Sequence, residues 1–147
     1  MRFDTTVKMK VYEAIAQTGR VPAASEVAGM LEVSFADVEV AFAELAGKRL
    51  LVLEPGAPGK IRMAPPFSGV ETLFVVRVGE ISYFANCVWD ALGVVAALHE
   101  DGVVEASDGH TGEPMRLEVK GGRPVPQECA IHFAVPAARW WDDIIHT

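Results

Sequence analysis

Apolar residues recur every three or four positions through VKMKVYEAIAQTG, where Val7, Val11, Ala14 and Ile15 share one stripe that stops at Gly19. That spacing predicts a helix with a glycine at its exit. Pro22 and Ser25 open a second, shorter helix through Val27, Ala28 and Leu31. A third starts near Ser34, with Val38, Ala41, Phe42 and Leu45 on one face and Gly47 near its end. The period then changes. LLVLEPGAPGKIRMA gives two extended runs around a Pro/Gly turn and predicts a hairpin. APPFSG (64–69) has the composition of a linker.

Beyond it, ETLFVVRVG and GEISYFA predict strands joined at Gly79-Glu80. FANCVWDALGVVAALHEDG predicts a helix ending before Gly102, and VVEASDGHTGEPMRLEV a strand, a turn and a second strand. After the loop KGGRPVPQE, CAIHFAV alternates as a short strand would, and PAARWWDDI begins with Pro136 at a first helical turn. The expected class is α+β. A winged-helix-like lobe of three helices and a hairpin (1–63) precedes a small mixed β-sheet with helices (64–147), with no internal repeats.

Composition narrows the function classes. Half of the 147 residues are hydrophobic, which suits a packed core rather than disorder. No apolar run reaches the ~18 residues of a membrane helix. MRFDTTVKMK leads into no apolar h-region, so a cytoplasmic location is expected, where two cysteines are thiols rather than a disulfide. Residues 1–67 carry eight basic and eight acidic groups. Residues 68–147 carry five and twelve, and so the whole net charge of −7. Neither part offers the basic face that nucleic acid requires, and the third helix carries Asp37, Glu39 and Glu44 where a recognition helix would meet phosphate. The front lobe is read as a packing unit that does not bind DNA.

The candidate chemistry lies in FANCVWDALG (84–93), where Cys87 and Asp90 interrupt an apolar segment. At i and i+3 they share one helix face, and near the helix start the macrodipole favours thiolate. By itself so short and common a pattern reads first as a small buried thiol and a first-turn carboxylate serving backbone N–H groups. Cys129, His132 and Cys87 lack the paired spacing of a zinc site. The glycines stand singly at turns, and there is no nucleophile elbow for a Ser-His-Asp arrangement. Trp140-Trp141 reads as core and rim, with an indole available to an apolar pocket.

FSGVETLFVV, SYFANCVWDALG, the turn TGEPMRLEV and CAIHFAVPAARWWDD follow one another in the order and character of the alkylmercury (organomercurial) lyases. From about residue 60 to 145 the chain resembles that family, with a shorter segment between Val119 and Cys129. The resemblance implies cleavage of a carbon–mercury bond by two thiolates and a proton-carrying aspartate: Cys87, Asp90 and Cys129. Mercury, as substrate and product, would be held by Cys87 and Cys129, since a soft metal prefers thiolate. Asp90 would collect a thiol proton and deliver it to the departing carbon.

No organic cofactor is implied. Reduced small thiols would assist and accept the Hg²⁺, the substrate would be a small organomercurial, and neither nucleic acid nor membrane would be a partner. The two sulfurs are then expected in one cleft walled by Trp89, Phe84 or Trp140. The alternative is a thiol-based protein that binds mercury or another soft metal, or acts on another thiol-reactive small molecule.

Overall fold

The computed structural model describes residues 1–147. Three helices come first: α1 (Phe3–Thr18), α2 (Ala24–Leu31) and α3 (Phe35–Gly47). The stripes read from the sequence are the buried faces, with Val7, Val11 and Ile15 of α1 meeting Val38, Phe42 and Leu45 of α3 in the core. Full burial of each such side chain contributes about 1.5–3 kcal/mol. Ser34 caps α3 by accepting the Asp37 N–H at 3.1 Å. Glu26 caps α2 from within, accepting the Ala23 N–H at 2.8 Å while pairing with Arg20. Asp4, buried at the start of α1, is held by Lys48 at the end of α3 and by Arg2, which keep its carboxyl far below the usual carboxylate range.

The hairpin follows as β1 (Val52–Glu54) and β2 (Ala57–Ala64). The segment with linker composition proves to be part of the fold. After Pro65-Pro66 the chain turns back as β3 (Phe67–Ser68), pairing Ala64 with Phe67 and Met63 with Ser68. Phe67 is buried and also bridges to Ala85, so this turn joins the first sheet to the second.

The second sheet contains β4 (Val75–Val78), β5 (Ile81–Phe84), β6 (Gly102–Ser107), β7 (Pro114–Lys120) and β8 (Arg123–Pro124), in the order β5-β4-β6-β7-β8. The class is α+β, as expected, but the sheet is not mixed: every pairing is antiparallel. A tight turn at Gly79-Glu80 connects β4 to β5, and a longer loop over 108–113 connects β6 to β7. Helix α4 (Val88–Leu98) carries the chain from β5 across to β6 on the other side of β4.

One cluster of 22 buried residues runs from Val7 to Val119, shared by residues 1–63 and 64–147. Polar ties reinforce the junction. The Tyr83 hydroxyl donates to Ala16 O at 2.7 Å and the Tyr12 hydroxyl to Pro65 O at 2.8 Å. Gly19, with φ of 75°, lies so close to β5 that a Cβ there would be 2.1 Å from Ser82 O.

The expected strand over CAIHFAV is absent. Pro124 and Pro126 flank the end of β8 and have no N–H to extend the ladder. After Val125 N–H donates to Glu118 O, the only backbone–backbone bond between Pro126 and Val135 is Cys129 N–H to Gln127 O. The helix expected from Pro136 is a short 3₁₀ turn, Ala137–Asp142. Aromatic stacking holds this end: Phe133 packs between Trp89 (6.1 Å) and Trp140 (5.3 Å), and Arg49 lies over Trp141. No helix is long and apolar enough to cross a membrane.

Candidate active site

A cavity of about 510 Å³ opens where the start of α4, the Met63–Pro65 turn and the C-terminal segment meet. Its lining is mostly apolar, with Trp89, Phe133, Trp140 and Ile144 among its walls, and its polar edge holds Asn86, Cys87, Asp90 and His132. A concave apolar space with a few convergent polar groups is the usual form of a small-molecule site.

Cys87 is the N-cap of α4. Its backbone is extended (φ −156°), and its Sγ accepts the Asp90 N–H at 3.4 Å. The expected juxtaposition of Cys87 and Asp90 is therefore observed. The expected acidity is not. Burial pushes the thiol above its ordinary value and the Asp90 charge pushes the same way, outweighing the N–H groups of Asp90 and Trp89 that favour thiolate. The N–H groups of the helix start still favour thiolate, but the lost solvation of the half-buried sulfur is the larger effect.

Asp90 is likewise raised by burial and drawn partly back by the Asn86 amide, whose Nδ2 donates to Oδ2 at 3.0 Å. Its charge is also felt by Tyr12 of α1, whose phenol is pushed up to about 12, first by burial and then by Asp90. Burial thus disfavours the charged form of both groups, and the Asp90 charge further disfavours the Cys87 thiolate.

Cys129 is placed differently. It is exposed, receives the Gln127 side-chain amide at 3.6 Å and does not line the cavity. Three residues further on, His132 does. Of the expected walls, Trp89 and Trp140 line the cavity and Phe84 does not. No three His, Cys, Asp or Glu side chains converge as metal ligands.

Two contributors were not assigned from the sequence. Asn86 was visible as a polar residue in an apolar run. Tyr12 had no local signal, because only the packing of α1 on the Pro65–Phe67 turn brings it near Asp90.

Comparison with known proteins bears on this geometry. No curated protein matches the chain. Among solved structures, the mercury-bound form of MerB2 is similar, with a TM-score of 0.56 and 22% identity, covering 83% of this chain and 66% of that one. The chain thus spans just under two thirds of that protein's length, and at this identity the likeness concerns the fold. The alkylmercury lyase family (MerB) matches residues 67–147, more than half of the chain and the whole of the cavity's α4 and C-terminal walls. The chain belongs to the alkylmercury lyase family.

Proposed function

We propose that this protein cleaves the carbon–mercury bond of a small organomercurial by protonolysis, with Cys87 as nucleophile and Asp90 as proton carrier. The observation that carries this reading is their placement: a thiol and a carboxyl on one helix turn, both half-buried, facing an apolar cavity. Simple metal holding needs no proton carrier beside the thiol.

The substrate arrives as an adduct R–Hg–SR′ of a small thiol. Cys87 gives its proton to Asp90, and its sulfur bonds to mercury as R′S⁻ departs and takes up a proton. Cys129 supplies the second thiolate, loading electron density onto the metal. The proton on Asp90 passes to the carbon as the C–Hg bond breaks, because a free carbanion is far too basic to leave unprotonated. R–H departs, Hg²⁺ remains on two cysteine sulfurs, and a pair of small thiolates removes it by exchange. The two protons of the cysteines end on R–H and R′SH.

Cys129 stands outside the cavity, so this reading requires the 126–131 segment to reposition while Phe133 stays packed between Trp89 and Trp140. The nearly bond-free backbone and exposed side chains of 126–131 permit that at little cost. Two reduced thiols fit the cytoplasm.

The outward Cys129 also favours the second reading, a protein that captures organomercurials or Hg²⁺ through Cys87 without breaking the bond. Chromatography of benzene released from phenylmercury, with a small thiol in excess, separates the two. The lyase reading expects turnover in wild type and none in Cys87→Ser or Cys129→Ser, since a hydroxyl is neither soft nor ionised near neutrality. Stoichiometric capture with no benzene from wild type would establish the binding reading instead.

A further inference from the structure

Asn86, the residue before Cys87, makes an unusual set of contacts. Its Nδ2 is 3.0 Å from Asp90 Oδ2 and 3.3 Å from both Pro66 O and Phe67 O. All three partners are acceptors, so only one orientation of the amide works; reversed, it would set oxygen against oxygen three times. That orientation leaves Asn86 Oδ1 buried without a partner, which costs stability, because a desolvated acceptor receives nothing in return. A leucine would fill the space without that loss.

The backbone that Asn86 grips is itself fixed. Tyr12 donates to Pro65 O and packs edge-on against Phe67 at 6.1 Å. Phe67 is 3% exposed, and α4 seats against Pro66 so closely that a Cβ on Gly93 would be 3.2 Å from the proline ring.

We propose that Asn86 is a positioning residue for Asp90, tying its carboxyl to the Pro66–Phe67 backbone so that it is held in one orientation beside Cys87. The inference rests on reading Asp90 as the proton carrier. The titratable groups around Asp90 are Cys87 on the same helix and Tyr12 from α1, with His132 on the facing cavity wall. Among all side chains, only Asn86 donates a hydrogen bond to the Asp90 carboxyl. That bond stabilises the ionised form and opposes burial. Without it, Asp90 would turn more freely, hold its proton to higher pH and deliver it less readily to the departing carbon.

The test replaces Asn86 by leucine, which keeps the volume and removes the donor. In Asn86→Leu, the Asp90 carboxyl carbon, followed by NMR across a pH titration and assigned with Asp90→Asn, is expected to titrate at higher pH than in wild type. The acidic limb of the kcat/KM profile for benzene release should move the same way. At neutral pH, kcat should fall about tenfold or more, with little change in KM.

Should the leucine variant fail to fold, Asn86→Ala decides by the same titration, since it too removes the donor and adds no charge beside Asp90. An Asp90 midpoint unmoved in the folded variant, or a rate lowered equally at every pH, would overturn the proposal. Absence of benzene release by wild type would instead refute the lyase reading, and the NMR titration would still decide whether Asn86 governs Asp90.

Discussion

Cys87 sits under opposing influences. The N–H groups of Trp89 and Asp90 favour its thiolate, while burial and the Asp90 carboxylate disfavour it, and the second pair prevails. A resting site with a largely neutral thiol suits a reaction that moves a proton rather than one that stores a permanent thiolate. The sign of the coupling is testable. Removing the Asp90 charge takes away one of the two effects raising the Cys87 pKa, so Asp90→Asn should form thiolate at lower pH. In a Cys129→Ser background, where Cys87 is the only thiol, the pH midpoint of alkylation by iodoacetamide should fall when Asp90→Asn is added. A midpoint that stays or rises would mean that the carboxyl does not act on the sulfur.

At the scale of elements, the helices and hairpins were legible because each carries its own signal. Stripes at helical spacing, a Ser34 cap, and turns at Gly79-Glu80 and Asp108–Gly112 are local instructions. The elements that went astray depend on partners distant in the chain. CAIHFAV alternates like a strand, yet Pro124 and Pro126 end the neighbouring ladder before it can pair. APPFSG looks like a connector, but Phe67 is drawn into the core between Tyr12 and Tyr83.

Gly19 shows how such a long-range joint can be tested. It combines a left-handed backbone with a 2.1 Å approach of any Cβ to Ser82 O. Gly19→Ala should therefore cost at least ~1–2 kcal/mol and lower Tm by several degrees. Gly47→Ala, with nothing within 4 Å in the last turn of α3, should be neutral or stabilising by up to ~1 kcal/mol. Equal thermal shifts in the two variants would contradict the role given to the Gly19–Ser82 contact.

For the whole molecule, the helical front and the sheet share one core. The front supplies Tyr12 and, through the Met63–Pro65 turn, part of the cavity wall. Its charge is balanced, and Asp37 and Glu44 stand exposed on α3. Anisotropy titration with duplex DNA at low salt should give no saturable binding; salt-sensitive binding at micromolar concentration would contradict a purely packing role.

The candidate site was legible to the extent that its parts are local. Cys87 and Asp90 meet because the N-cap side chain of a helix turns onto the N–H groups of its first turn. The position of Cys129 depends on how an unladdered segment lies across the cavity, which spacing along the chain does not specify.

The central claim is that Asp90 carries the proton that releases the hydrocarbon. Its most direct test is a single turnover of phenylmercury with enzyme in excess, wild type against Asp90→Asn, following benzene by chromatography and bound mercury in parallel. The account predicts that both proteins capture the organomercurial, while benzene release by the variant is slower by about 10²–10⁴-fold. Benzene released at the wild-type rate by Asp90→Asn would contradict it.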